Sequence, residues 1–208
     1  MSLRVAKGTP ILSPMDAVPL GFDDLRAKLE PGTLPIPLQE QGNPVWCYAA
    51  CASMAINFLH GTEVAPQCKV ASFVKFVQNG TSGPETCCTG LNLTCIAKGC
   101  DVDDIGKIFD HWGIDFEKSG NAEDPVMGRV DFARLAAELA AKRPVEVVIQ
   151  WPDEGKHALL VAGIKGNLFF LLDPLKGHPY NGWRTIDSLE EFDEKGQWIK
   201  TWLGLIKR

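Results

Sequence analysis

The chain has no apolar run long enough to cross a bilayer. Its longest, Ala158–Ile164 and Leu168–Leu172, fall far short of the roughly 20 residues a spanning helix needs. It has no Lys/Arg cluster. Basic and acidic residues, 21 against 26, are interspersed and leave a net charge of −5, so nucleic acid is not an expected partner. The opening residues Met1-Ser2-Leu3-Arg4-Val5-Ala6-Lys7 lack the apolar core of a signal peptide. No internal repeat and no low-complexity segment is present. The cysteines lack the paired C-x₂₋₄-C knuckles of structural zinc sites, and neither metal nor cofactor is expected. Histidine is scarce, with four in the chain, which narrows the search for a catalytic base.

What is present suits one globular core. A chain of 208 residues with 45% hydrophobic content can bury a good core, split at most into two lobes. Residues 1–36 hold Pro10, Pro14, Pro19, Pro31 and Pro35 and read as an extended arm or a removable leader. Residues 37–208 form the folded domain, with a helical part over about 37–143 and a sheet part over about 144–208.

The chain is organised around Gln41-Gly42-Asn43-Pro44-Val45-Trp46-Cys47-Tyr48-Ala49-Ala50-Cys51. Cys47, Ala50, Cys51, Met54 and Phe58 follow a helical stripe. Pro44 forbids helix before it and tolerates one after it, and Gly61 stands where a C-cap belongs. Cys47 therefore sits at the start of a buried helix over about 47–60. A helix N-terminus carries positive partial charge and favours a thiolate.

Further helices are expected over about 67–77, over a short piece capped by Asp101 or Asp103 and stopped at Gly113, and after Asp131. The period then changes. Val145–Trp151 is a β-branched run. His157–Ile164 and Asn167–Asp173 read as a hairpin joined at Lys165-Gly166. Ser188-Leu189-Glu190-Glu191 resembles a capping box opening a short helix, and Trp198–Ile206 reads as a closing strand. Helices followed by antiparallel strands make an α+β protein.

A cysteine nucleophile needs a base within hydrogen-bond reach, and the base needs an orienter. His60 ends the Cys47 helix, about 20 Å along its axis, and cannot reach. His111 belongs to a short amphipathic helix and His178 to a loop. His157 stands at a loop-to-strand junction, a rigid mount for a base. Asp173 ends the partner strand, near the open end of the same hairpin. Gln41, six residues before Cys47, can fold back beside the sulfur, and Gln39 competes with it for that place.

These residues resemble a known family. Gln41 to Ala50, Lys156-His157 before an apolar strand, and Asp173-Pro174 after the next are similar to papain-like cysteine peptidases. They look most like the bacterial subgroup with a Cys-aromatic-Ala-Ala motif, which includes secreted plant-pathogen effector peptidases and double-glycine leader peptidases. The likeness covers roughly residues 39–175, and Cys87-Cys88 also looks like that subgroup. Tyr48 stands where the subgroup usually has Trp. The resemblance implies a two-lobe papain-like fold, with Cys47 on the helical lobe and His157 and Asp173 on the sheet lobe. It implies peptide-bond hydrolysis by a Cys47–His157 thiolate–imidazolium pair, with Asp173 orienting the ring and Gln41 in the oxyanion hole. The partner would be a protein or peptide substrate; oligomeric state is not legible.

Two alternatives stay open at this level. The same triad serves transpeptidases, deamidases and transglutaminase-like toxins, and a Cys-rich chain can be a non-catalytic binding module. The seven cysteines are Cys47, Cys51, Cys68, Cys87, Cys88, Cys95 and Cys100. That number and the resemblance favour a secreted or translocated effector and leave a cytoplasmic location open. For an exported protein, Cys47 stays free and the other six form three disulfides, with adjacent Cys87 and Cys88 reaching different partners.

Overall fold

The computed structural model describes residues 32–80, 86–89, 95, 99–119, 129–151, 155–177, 180–192 and 196–208. Most of the expected arm, most of loop 79–94 and His178 lie outside the described residues. Helix α1 spans Cys47–His60, α2 Gln67–Asn79 and α3 Asp104–His111; strand β1 spans Ile114–Ser119 and helix α4 Phe132–Ala140. Strands β2 (Val145–Trp151), β3 (Gly155–Lys165), β4 (Leu168–Leu172) and β5 (Gly182–Thr185) follow. The described chain closes with helix α5 (Ile186–Glu190), strand β6 (Glu191–Phe192) and strand β7 (Gly196–Lys207). Among the described residues the strands form one antiparallel sheet in the order β1-β7-β2-β3-β4-β5, with β6 paired to β7.

Local chemistry accounts for most boundaries. Gly61 ends α1 in the left-handed conformation at φ 70°, which glycine adopts without a Cβ penalty. Asp131 caps α4 by accepting the backbone N–H of Arg134 at 2.7 Å. The short C-terminal helix starts earlier than the Ser188 capping box suggests. Thr185 supplies the cap instead: its hydroxyl accepts the Ser188 N–H at 3.3 Å, and its carbonyl accepts the Ser188 hydroxyl at 2.8 Å.

Three features depart from local expectation. The mid-portion of α1, Tyr48 to Ile56, is buried all round, because α1 lies between the sheet and helices α2 and α3. A one-sided stripe understates that position. Strand β1 belongs to the sheet although it lies between two helices in sequence. The strand read as a closing one, β7, runs between β1 and β2, and its Trp198 and Trp202 are fully buried.

The β3–β4 hairpin turns at Gly166-Asn167, one residue later than Lys165-Gly166, since Lys165 pairs Leu168. Gly166 has φ +61°, which suits the first position of a two-residue hairpin turn. Register then slips between Val161 and Gly163, making Ala162 the extra residue of a β-bulge. Residues 32–34 dock there: Leu34 N–H donates to Ala162 O at 2.7 Å, and Thr33 bridges Gly163.

Two disulfides form, Cys68–Cys88 and Cys87–Cys95, not the three expected. Cys87 and Cys88 do reach different partners. The first bridge fastens the Cys-rich loop to α2. Cys51 and Cys100 are free along with Cys47. Cys51 faces the sheet, fully buried, with its thiol on Ala158 O at 3.4 Å. Cys100 directs its thiol to Asp101 O at 3.1 Å.

Candidate active site

The loop before α1 is built on Asn43. Its side-chain oxygen accepts the Val45 N–H at 3.2 Å, and its carbonyl accepts the Trp46 N–H at 3.0 Å and the Gln41 side-chain amide at 2.9 Å. Trp46 pins the helix start to the disulfide-held loop, its indole N–H donating to Cys95 O at 2.8 Å. Cys47 thus begins α1 from a fixed position, half-buried beside a cleft.

The opposite wall comes from the sheet. His157 sits two residues into β3, where β3 pairs β2. Its Nε2 lies 2.8 Å from Oδ1 of Asp173, so that nitrogen donates to the carboxylate and Nδ1 is left for the thiol. The imidazole and the Cys47 thiol line the same cleft, and the thiol acts on the charge of the ring. Burial pulls the His157 pKa down, but hydrogen bonds and charge from Asp173 and Cys47 outweigh it and carry the value up to about 9.

Asp173 is fully buried. Its Oδ1 also accepts the Leu175 N–H at 2.9 Å, and its own N–H donates to Asn181 Oδ1 at 2.6 Å. Asn181 holds the end of β4 in place. Nothing marked it in the sequence beyond a turn-like Asn-Gly pair.

Gln41 is tied to the same corner, its backbone N–H donating to Pro174 O at 2.7 Å. An amide carries two N–H donors. One goes to Asn43 O; the other has no acceptor among the described residues, and Oε1 is buried without a partner. Gln39 is placed differently. Its side-chain oxygen accepts from Ser53 at 3.1 Å and Gln67 at 3.2 Å, bracing the chain against α1 and α2. His60 approaches Trp112 O at 3.0 Å, and His111 stacks on Phe73 at 4.1 Å. Neither joins Cys47.

The cleft holds about 540 Å³ and runs from Cys47 and His157 along Tyr48, Cys100, Val102, Ile105 and Val148. Among the described residues no three His, Cys, Asp or Glu side chains converge as a metal site would require. Behind the cleft, Glu146 of β2 is fully buried and neither carboxyl oxygen has a partner. Burial first, and the charge of Cys47 second, push its pKa well above the usual carboxylate range. Sequence reasoning missed it, because a lone acid in a β-branched run carries no local signal.

A helix-start thiol, an imidazole in the same cleft and a buried carboxylate bonded to that imidazole have the parts for acyl transfer. The sequence profile of the family described as papain-like cysteine protease AvrRpt2 matches residues 30–197. The chain belongs to that family. It is a cysteine peptidase of papain-like fold. Two solved structures share the fold. The peptidase domain of Streptococcus ComA, a bifunctional ABC transporter of a quorum-sensing pathway, is 12% identical with a TM-score of 0.51; the match covers 82% of this chain and 98% of that domain. A putative C39-like peptidase from Bacillus anthracis is also 12% identical with a TM-score of 0.51, covering 86% of this chain and 99% of that one. Among curated proteins, none matches the chain.

Proposed function

We propose that the peptidase cleaves its substrate through Cys47, His157, Asp173 and Gln41. The observation that carries this is His157, bonded at Nε2 to buried Asp173 and lining the same cleft as Cys47, whose thiol helps raise the imidazole pKa. The imidazolium holds the thiolate, and Asp173 holds the imidazolium. The Cys47 sulfur attacks the peptide carbonyl carbon, and the C=O π electrons move onto oxygen. The second N–H of Gln41 and the backbone N–H of Cys47 stabilise that oxyanion. The oxyanion then collapses, the C–N bond breaks, and His157 gives its proton to the leaving amine. Water, deprotonated by His157, then attacks the thioester carbon. The C–S bond breaks, the acyl group leaves as a carboxylic acid, and the thiolate–imidazolium pair is restored. The test is proteome-wide cleavage profiling of wild type against Cys47→Ala. New peptide termini should be generated by wild type alone; equal cleavage by both proteins refutes the assignment.

We also infer that the protein leaves the cytosol that makes it, as a secreted or translocated effector. The family and the two disulfides support this. No described helix is long and apolar enough to cross a membrane. Alkylation of the unfolded protein without reductant should label three cysteines, Cys47, Cys51 and Cys100. Seven labels on protein from its native compartment overturn the inference.

A further inference from the structure

Trp46 stands immediately before Cys47 and occupies the N-cap position of α1. It is buried. Its main chain joins the loop to the helix: its N–H donates to Asn43 O at 3.0 Å, and its carbonyl accepts the Ala50 N–H at 2.9 Å. Its ring lies against Gly42, where a Cβ would stand 3.6 Å from the indole carbons. Gly42 follows Gln41 in the chain. One side chain therefore braces both the start of the Cys47 helix and the loop that carries Gln41.

A carbonyl distant in sequence holds that side chain. The indole N–H donates to Cys95 O at 2.8 Å in the protein interior. Cys95 is bridged to Cys87, and Cys87 is anchored on α2, its N–H donating to Ser72 Oγ at 2.8 Å. Ser72 is fully buried, and its hydroxyl donates to Cys68 O at 2.8 Å. The path Ser72–Cys87–Cys95–Trp46 thus runs from α2 to the residue beside the nucleophile. The Cys68–Cys88 bridge lies off that path. If the Cys95 carbonyl moves, a buried N–H loses its acceptor unless Trp46 follows. A shift of about 1 Å at a reacting group can cost on the order of 10²-fold in rate.

We propose that the Cys87–Cys95 disulfide is a positioning element for catalysis: it fixes the Cys95 carbonyl, which seats Trp46, and Trp46 sets Cys47 and Gln41 against the substrate. This rests on Cys47 and Gln41 being the catalytic groups. The bridge takes no part in the chemistry, yet turnover depends on its being closed.

The test measures kcat, KM and thermal midpoint on a fluorogenic peptide built from a cleaved sequence found by profiling. Trp46→Phe keeps a ring on Gly42 and loses the N–H. It should lose about tenfold in kcat, with KM nearly unchanged. Cys87→Ser/Cys95→Ser should lose a similar factor. All three substitutions together should lose no more than the larger of the two, because the groups act in series. Cys68→Ser/Cys88→Ser should lower the thermal midpoint and leave kcat near wild type. Should Cys87→Ser/Cys95→Ser not fold, Cys68→Ser/Cys88→Ser treated with dithiothreitol gives the same reading. The dithiol passes two electrons and two protons to the Cys87–Cys95 bridge, leaving two thiols and a cyclic disulfide, and alkylation confirms the opening. Wild-type kcat in Trp46→Phe, or with the bridge open, overturns the inference. Losses that multiply in the combined variant also overturn it, as does an equal kcat loss on removing Cys68–Cys88 alone. Cleavage by Cys47→Ala refutes the catalytic reading instead; an inactive Cys47→Ala beside a fully active Trp46→Phe sinks this inference alone.

Discussion

Thr33 lies so close to Gly163 that a Cβ on the glycine would stand 2.9 Å from the Thr33 Cα. The contact sits at the Ala162 bulge, and the bulge sets the register of the proposed catalytic pair. Lys165 pairs Leu168 near the turn, and a regular ladder from there would bring Asp173 opposite Leu160. Beyond the bulge, Leu160 pairs Leu172 instead, so Asp173 comes opposite Leu159. Leu159 shares its face of β3 with His157, and Leu160 does not. Gly163→Ala should therefore act at two places. It should cost about 1–3 kcal/mol by overpacking and should lower turnover by loosening the His157–Asp173 bond. Chemical denaturation and steady-state kinetics measure both. An alanine variant with wild-type stability would show that residues 32–34 yield without resistance.

Asp173→Asn should be milder than His157→Ala. An amide can still orient an imidazole, whereas losing the base disables the whole unit. Its pH profile should also change. The wild-type His157 value is raised to about 9, so activity should fall as pH rises through about 9 and His157 loses its proton. Removing the carboxylate removes a cause of that rise, and the alkaline limb should move to lower pH. The stability contributed by the charged pair follows the same sign: it is complete below about 6.5, the ordinary histidine value, and is lost as pH rises through about 9. Equal loss of kcat for Asp173→Asn and His157→Ala would argue that Asp173 does more than orient.

The two glutamines should separate cleanly. Gln41→Ala should lose about 10²-fold or more in kcat, with little change in KM, if its second N–H meets the oxyanion. Gln39 braces Ser53 and Gln67, so Gln39→Ala should lower the thermal midpoint and leave kcat near wild type. The reverse pattern would transfer the oxyanion role to Gln39.

Glu146 carries a pH signature of its own. Its folded pKa is raised and its unfolded value is ordinary, so the folded state holds a proton that the unfolded chain releases. Wild-type stability should therefore decline as pH rises above the ordinary glutamate range, by at most about 1.4 kcal/mol per pH unit. Glu146→Gln removes that dependence. The thermal midpoint of Glu146→Gln relative to wild type should rise between pH 4.5 and pH 8. A constant difference over that range would mean that the carboxyl ionises normally.

Much of the site was legible in the sequence because local signals carry it. Pro44 and Gly61 bracket the Cys47 helix, a β-branched run marks β2, and two apolar runs around a glycine turn mark the hairpin bearing His157 and Asp173. Each of these is a short-range effect of dihedral restriction or hydrophobic period. The tertiary structure decided what depends on distant neighbours. The Ala162 bulge, which sets the face that Asp173 shares with His157, forms where residues 32–34 meet β3. Strand β7 entered the middle of the sheet because β1, from between two helices, covered its outer edge. Cys51 and Cys100 stayed free because one faces Ala158 across the core and the other turns to Asp101. The partnerless Glu146 carboxyl became visible only with its surroundings, because a polar group is without a partner by virtue of everything packed around it.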